Sequence, residues 1–213
     1  MRTHLAVLSV NNLSVIKRDR LLFENLSFTV KSGQLLYVKG QNGAGKTSLL
    51  RVLAGLVDAE TGNVEFCQQN IKNCAEIYHQ QLVYFGHKLG VNLSLSGIEN
   101  LKHWCNLHQV SISVDNIFDI LAKLNLVGLE ELPVANLSAG QQRRVALARF
   151  WFNKAAKLWI LDEPFTALDT QGIELLSQQI IAFLSQGGAV IMTSHQTLTL
   201  DYPTSELMLE YQI

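Results

Sequence analysis

The chain has 213 residues, of which 48% are hydrophobic and 16% charged, enough to bury a core as one compact domain with or without an inserted lobe. Lysine and arginine number 17 against 18 for aspartate and glutamate, and this balance argues against nucleic acid as a partner. No apolar run approaches the roughly 18 residues of a membrane span, and the N-terminus lacks the features of an export signal. We therefore expect a cytosolic protein whose three cysteines are reduced thiols.

The first third of the chain predicts β-strands and one helix. Alternating segments over residues 4–10, 21–30 and 34–39, with a turn at residues 31–33, favour hairpins. A helix is expected next, over residues 47–56, because its leucines and Val52 share one face, and a short strand follows at residues 62–66.

The middle of the chain predicts helices and the last part returns to buried strands. Residues 96–107 and 115–127 have helical periodicity, so we expect a helical lobe from about residue 87 to 150, inserted in a core made of residues 1–86 and 151–213. Near the end, the continuous apolar run at residues 157–162 is typical of a strand covered on both faces of a parallel sheet. A helix over residues 171–186 and a strand over residues 188–195 complete the pattern.

Residues 137–149, LSAGQQRRVALAR, predict a helix with a well-defined start. Ser138 suits the N-cap, Gly140 allows a close backbone approach, and strong helix formers run from Gln141 to Arg149. The positive end of such a helix collects unpaired N–H groups and can receive an anion, although an ordinary capped helix has the same pattern.

A glycine-rich segment, GQNGAGKT at residues 40–47, lies between a predicted strand and a predicted helix and matches G-x-x-x-x-G-K-[ST]. In this motif the backbone N–H groups curl around the phosphates of a nucleotide, Lys46 adds a cation, and the Thr47 hydroxyl can hold Mg²⁺. The segment and the residue after it supply the predicted ATP contacts: Gly40, Gln41, Asn42, Gly43, Ala44, Gly45, Lys46, Thr47 and Ser48.

Two acidic residues follow the buried strand at residues 157–162. Asp162 lies where a carboxylate at a strand end reaches a phosphate-bound Mg²⁺, and Glu163 can orient an attacking water or accept its proton. His195 closes the last predicted strand, where its imidazole can hydrogen-bond a γ-phosphate oxygen.

Taken in order, GQNGAGKT, LSAGQ, WILDEP, ALD at residues 167–169 and His195 resemble the nucleotide-binding subunits of ABC transporters over nearly the whole chain. Within that group, the short length and the runs LSAGQQRRVALAR and LWILDEPFTALD are similar to the CcmA family, the ATPases of cytochrome c maturation systems. The resemblance implies an α/β fold: a P-loop NTPase core of the ABC-ATPase type, with an antiparallel β subdomain and an inserted helical subdomain.

The same resemblance implies a homodimer that hydrolyses ATP with Mg²⁺. Two cassettes would meet head to tail, so that Ser138, Gly140 and Gln141 of one chain face the ATP held by Lys46 of the other. Glu163 would be the catalytic carboxylate, His195 the γ-phosphate sensor and Asp169 a contact across the dimer.

The resemblance also implies partners at the cytoplasmic face of the inner membrane, where the chain would be a peripheral subunit. An integral membrane subunit of the CcmB type is expected, and systems of this kind deliver haem to c-type cytochromes in the periplasm through the chaperone CcmE. Which cargo is moved stays open at this point.

Two positions depart from the family pattern. The glutamine that touches Mg²⁺ in the family falls on His87, which can hydrogen-bond a metal-bound water but is a doubtful direct ligand. The aromatic residue that stacks on adenine is expected near Lys17 or Arg18, where none is present, and the Arg18 guanidinium is our candidate for its replacement.

Other functions remain open on the sequence alone. The chain can serve a lipoprotein, peptide or metabolite transporter, a soluble mechanical ATPase, or a regulatory module that binds ATP without turnover, although Glu163 argues against the last. The stretch HWCNLH at residues 103–108 suggests a haem or metal site, but without a C-x-x-C-H pattern we interpret it as packing or surface.

Overall fold

The computed structural model describes residues 5–194 and 200–210. Within this part of the chain, contacts divide the protein into two compact units. The first contains residues 5–86, 156–164, 181–194 and 200–210, and the second contains residues 87–155 and 165–180.

An antiparallel sheet opens the first unit. Its strand order is β2-β1-β4-β5, with β1 at Ala6–Lys17, β2 at Arg20–Lys31, β4 at Thr61–Phe66 and β5 at Gln69–Asn70. Arg18 and Asp19 join β1 to β2 with φ of 50° and 61°, the backbone that a two-residue hairpin turn needs to match strand twist. The predicted N-terminal hairpin and the strand at residues 62–66 are confirmed.

The predicted hairpin across residues 31–33 is wrong. The chain leaves β2 and enters β3, at Leu35–Lys39, in a second, parallel sheet of order β6-β7-β8-β3-β9. Four consecutive residues of β3 are buried, and a strand that is apolar on both faces needs cover on both faces, which a central position in a parallel sheet provides.

The parallel sheet carries the strands next to the glycine-rich segment at residues 40–47. Its other members are β6 at Leu82–Phe85, β7 at Leu158–Asp162, β8 at Ala189–Thr193 and β9 at Thr204–Met208. All residues of β7 and β8 are buried, as their apolar runs predict, whereas β6 and β9 were not predicted. The first unit also has α1 at Lys46–Leu53 and α2 at Ala75–Gln81.

The second unit is helical. It contains α3 at Gly97–Leu107, α4 at Val114–Lys123, α5 at Ala139–Leu147 and the first part of α6, which runs over Thr170–Ser185. Leu101, Cys105, Ile117, Leu121 and Val145 meet in its core. Helix α5 ends two residues earlier than predicted, because the chain tightens into a 3-10 segment over Ala148–Trp151, a frequent ending of α-helices.

Within the described residues, none of the helices combines the length and the apolar character that crossing a membrane requires.

Candidate nucleotide site

The glycine-rich segment forms the turn between β3 and α1. At two of its positions the backbone conformation or the surrounding atoms disfavour any residue other than glycine. Gly45 precedes α1 with φ of 97°, a left-handed conformation that side chains disfavour. Gly40 has φ of 145°, and a Cβ there would lie 2.5 Å from the carbonyl oxygen of Leu209. The tight curl of the loop therefore depends on the glycines of the motif.

Lys46 holds the loop closed from inside. Its Nζ donates to the carbonyl oxygens of Gly40, at 2.7 Å, and Gln41, at 3.1 Å. An ammonium group has three N–H donors, so one remains for an external oxygen. The start of α1 has no side-chain cap and no acidic residue in its first turn, which leaves its N–H groups to an anion.

Asp162 and Glu163 follow β7 and are joined through Thr193 on β8. The parallel register places Asp162 opposite Thr193. The Thr193 hydroxyl donates to Asp162 Oδ1 at 2.8 Å and accepts from the backbone N–H of Glu163 at 3.0 Å. One hydroxyl thus orients the carboxylate of Asp162 and the backbone of Glu163.

Glu163 adopts φ of 52°, a left-handed conformation that costs about 1–2 kcal/mol for a residue with a side chain. Strain of this kind is characteristic of functional sites, because the surrounding structure must hold it in place. Here the Thr193 hydroxyl supplies one of the restraints.

The loop and the acidic pair face the same cleft, which has a volume of about 550 Å³. Its walls are formed by these residues and by the β1–β2 turn: Lys17, Arg18, Arg20, Leu22, Asn42, Gly43, Gly45, Lys46, Thr47, Ser48, Asp162 and Glu163. The structure therefore brings most of the predicted phosphate-binding residues together with both predicted acids.

The cleft fits a magnesium ion. Asp162 is 3% exposed, and its Oδ2 is a buried oxygen without a hydrogen-bond partner among the described residues. The Thr47 hydroxyl lines the same cleft. Carboxylate and hydroxyl oxygens are suitable ligands for Mg²⁺, which also retains waters and binds substrate phosphates.

The segment LSAGQ starts α5 in the second unit. Ser138 is the N-cap: its Oγ accepts from the N–H of Gln141 at 3.3 Å, and the Gln141 side chain accepts from the N–H of Ser138 at 2.8 Å. A Cβ on Gly140 would lie 3.4 Å from the carbonyl oxygen of Ala167, near ordinary contact distance. Packing inside the unit therefore does not require glycine at position 140.

Asp169 joins the start of α6 to α5. Its Oδ1 accepts from the N–H of Gly172 at 2.9 Å, and its Oδ2 pairs with the Arg144 guanidinium. These two donors, the Gly172 N–H first, lower the pKa of Asp169. The second unit thus gathers Asp169 and the helix of the LSAGQ segment.

Of the two histidines predicted for the site, only His87 lies within the described residues. His87 is an exposed residue at the beginning of the second unit, and its role toward Mg²⁺ stays a prediction. His195 lies outside the described residues.

Within the stretch at residues 103–108, Cys105 is the buried residue, Trp104 and His108 are half-buried, and the other three residues are exposed. Cys105 is 1% exposed, burial raises the pKa of its thiol to about 11, and the Trp104 ring stacks on His108 with centroids 4.1 Å apart.

Thr193 and Arg144 were not predicted as site residues. Thr193 acts through the pairing of β7 with β8, whereas the residue predicted at the end of β8 was His195, two positions later. The available signal was the hydroxyl of Thr193 near the end of the strand at residues 188–195, which follows the strand of Asp162 along the chain. For Arg144, the signal was a basic residue on the LSAGQ helix, but its pairing with Asp169 depends on tertiary structure.

Comparison with known proteins identifies the family. The family model for ABC transporters matches residues 23–166. CcmA of Vibrio cholerae, described as a cytochrome c biogenesis ATP-binding export protein, is 47% identical over 92% of this chain and 95% of its own length. The protein of the same description from Idiomarina loihiensis is 51% identical over 99% of this chain and 95% of its own.

The fold agrees with this assignment. A solved ATP-binding cassette, described as a dimer in a post-hydrolysis state bound to ADP and Pi, superposes with a TM-score of 0.82 at 18% identity and covers 97% of each chain. The predicted α/β P-loop fold of the ABC-ATPase type is therefore confirmed, and so is the resemblance on which it rested. The chain belongs to the ABC transporter family of ATP-binding proteins, where it is similar to the CcmA proteins.

Proposed function

We propose that this chain is the ATP-hydrolysing subunit of a membrane ABC complex that serves the biogenesis of c-type cytochromes. One observation carries the catalytic part: the phosphate loop, the buried Asp162 carboxylate and the strained Glu163 line one cleft. The similarity to CcmA proteins over nearly the full chain supports the biological part.

The residues of the first unit divide the work on the nucleotide. Lys46 and the uncapped start of α1 bind the β- and γ-phosphates, and Asp162 and Thr47 would hold Mg²⁺. Bound there, Mg²⁺ would neutralise the negative charge that develops on the transferred phosphoryl group. Glu163 orients a water toward the γ-phosphate and accepts its proton, while Thr193 keeps the Glu163 backbone in its strained conformation.

A second copy of the chain completes the site. Ser138, Gly140 and Gln141 of the partner subunit would bind the γ-phosphate from the opposite side, and the partner's Asp169 would contact the dimer interface. The capping box leaves the N–H groups of Ala139 and Gly140 at the start of α5 for such an anion. Because ATP alone supplies that phosphate, the closed dimer forms with ATP and opens after hydrolysis.

The membrane part of the complex would be another polypeptide of the CcmB type, with this chain bound as a peripheral subunit at the cytoplasmic face of the inner membrane. Dimer closure and opening would move whatever the membrane subunit presents to it. Loss of c-type cytochromes on deletion, with other transport intact, is the result expected; normal cytochrome levels would point to another transporter.

Catalysis is tested by substituting Glu163→Gln. We expect phosphate release to fall by about 10²- to 10⁴-fold, since the general base is lost, while ATP remains bound and holds a dimer together. Glu76→Gln, an exposed change on α2, is the control and should retain the normal rate. An unchanged rate in Glu163→Gln would remove that carboxylate from the mechanism.

A further inference from the structure

Of all the asparagines in the sequence, Asn42 alone is followed by a glycine, and this pair lies in the glycine-rich loop. Asn42 and Gly43 both line the nucleotide cleft, and both are exposed. Among the described residues, neither the Asn42 amide nor the Gly43 N–H has a hydrogen-bond partner. The two groups are therefore open to solvent, to a ligand and to each other.

The backbone at this pair forms a turn that depends on glycine. The N–H of Ala44 donates to the carbonyl oxygen of Gln41 at 3.1 Å, so Asn42 and Gly43 are the two central residues of the turn. Gly43 has φ of 85°, as the third residue of a type II turn requires. Because Gly43 has no Cβ, the peptide between the two residues can rotate and bring its nitrogen toward the Asn42 side chain.

An asparagine followed by glycine is chemically labile in this situation. The Gly43 nitrogen loses its proton to water and attacks Cγ of Asn42. The new C–N bond closes a five-membered succinimide ring, and the side-chain nitrogen leaves as ammonia. Water then opens the ring: attack at the side-chain carbonyl gives aspartate, and attack at the main-chain carbonyl gives isoaspartate. Water is the only reagent consumed.

We propose that Asn42 is a deamidation site and that bound nucleotide protects it. In the proposed function the N–H groups of the loop curl around the phosphates, so a bound nucleotide holds the same Gly43 nitrogen that would attack Asn42. The deamidation itself does not depend on that function, whereas the protection rests on it. Isoaspartate at position 42 lengthens the backbone of the loop by one carbon and adds a carboxylate to the cleft, so a chain modified in this way no longer binds ATP.

The test follows the peptide of residues 40–46, which trypsin releases because Lys39 and Lys46 mark its two ends. The Glu163→Gln variant, in which ATP persists, is incubated with Mg²⁺ at increasing ATP concentrations, and mass spectrometry measures conversion of the amide to the acid. Without nucleotide, Asn42 should convert faster than Asn73, an exposed turn residue that precedes Cys74 and serves as the internal control. ATP at 100 times its Kd should slow the reaction about 100-fold, because only empty chains react.

The protection and its consequence have quantitative signatures. The ATP concentration that halves the rate should equal the Kd measured separately, since the rate follows the fraction of empty chains. Protein incubated without nucleotide should lose ATP-binding sites in proportion to its isoaspartate content, which labelling by an isoaspartyl methyltransferase measures. Asn42→Gln cannot close a five-membered ring and should keep its own starting capacity through the same incubation.

The outcomes separate the claims. If Asn42 converts no faster than Asn73 in the empty chain, the deamidation site is wrong. Equal rates with and without saturating ATP would overturn the protection, and full ATP binding by isoaspartate-containing chains would overturn its consequence. A fresh chain that binds no ATP, yet deamidates at Asn42, would instead refute the proposed function and leave the site intact.

Discussion

Two helices of this protein begin next to a glycine of a segment to which we assign phosphate binding, and they begin in opposite ways. Helix α1 starts after a left-handed Gly45 and has no side-chain cap. Helix α5 starts at Ser138, which forms a reciprocal capping box with Gln141. The first helix start is open to an anion, and the second has already satisfied part of its own backbone.

This difference suggests a division of labour. Uncapped N–H groups, together with Lys46, can bind the triphosphate within one protomer. The start of α5 retains fewer donors, so it should bind a phosphate weakly unless that phosphate is already held by another surface. If the start of α5 binds a phosphate only when a second chain already holds it, ATP should bring two chains together. Each chain alone should not bind ATP through α5.

The glycines of the two segments also differ in how strongly the fold requires them. At Gly40 a Cβ would collide with the carbonyl oxygen of Leu209, so the fold itself demands glycine. At Gly140 a Cβ would meet the carbonyl oxygen of Ala167 only near contact distance. Packing inside its own unit therefore does not account for glycine at position 140, which agrees with the proposal that this surface receives a ligand.

The largest effect is expected at the open helix start. Lys46→Ala should abolish detectable ATP binding and reduce hydrolysis at least about 100-fold, because it removes a cation from the phosphates and a clasp from the loop. Equilibrium binding of ATP and phosphate release measure the two losses, with Lys72→Ala as control. Retained ATP affinity in Lys46→Ala would contradict binding within one protomer.

The capped helix start should respond differently. Gly140→Ala should reduce turnover about 100-fold by misplacing the γ-phosphate contact, with ATP affinity of the single chain unchanged. Thermal stability should hold or rise slightly, since alanine favours a helix more than glycine does. Measurements of Kd, kcat and Tm together distinguish a lost γ-phosphate contact from a folding defect. If ATP affinity and turnover fell in parallel, the proposed difference between the starts of α1 and α5 would be wrong.

Substitutions at Thr193 test how Asp162 and Glu163 are held in place. Thr193→Val should lower the free energy of unfolding by about 1–3 kcal/mol, because the buried Asp162 carboxylate loses its donor. It should also weaken the apparent affinity for Mg²⁺ about 10- to 100-fold, as changes behind a metal ligand do. Thr193→Ser keeps the hydroxyl and should restore both quantities; a defect in Thr193→Ser as large as that in Thr193→Val would contradict this role of the hydroxyl.

The smallest effect is expected at Asp169, which pairs with Arg144 in the last turn of α5. The pKa of Asp169 is lower in the folded protein than its ordinary value of 3.8. The ionised carboxylate therefore stabilises the fold above pH 3.8, and this stabilisation disappears as the pH falls through the lower pKa of the folded state. Asp169→Ala should therefore be less stable than the parent at pH 7, with the difference shrinking toward pH 3.

Asp169→Asn retains a cap for α6 and should fall between Asp169→Ala and the parent. Urea unfolding at several pH values measures this series. A stability difference that stays constant with pH would mean that the charge of Asp169 is not involved.

Much of this contrast was visible in the sequence, and the remainder depends on tertiary structure. The apolar runs at β7 and β8, the strand–glycine–helix order around Lys46 and the N-cap residue Ser138 are local features, so each predicted its element correctly; the reciprocal bond from Gln141 was not predicted. The assignment of β3 to the parallel sheet was not local, because burial on both faces decided its partners. The contact between Thr193 and Asp162 likewise depends on the register of two strands far apart in sequence.

The central claim is that ATP bound by one chain is completed by the start of α5 from a second chain. The most direct measurement is a crystal structure of the Glu163→Gln variant with Mg²⁺ and ATP. We expect the Ser138 hydroxyl and the Gly140 N–H of the partner subunit within about 3 Å of γ-phosphate oxygens, on a nucleotide held by Lys46. Nucleotide-loaded chains that are single, or that pair through a surface remote from Ser138, would contradict the account.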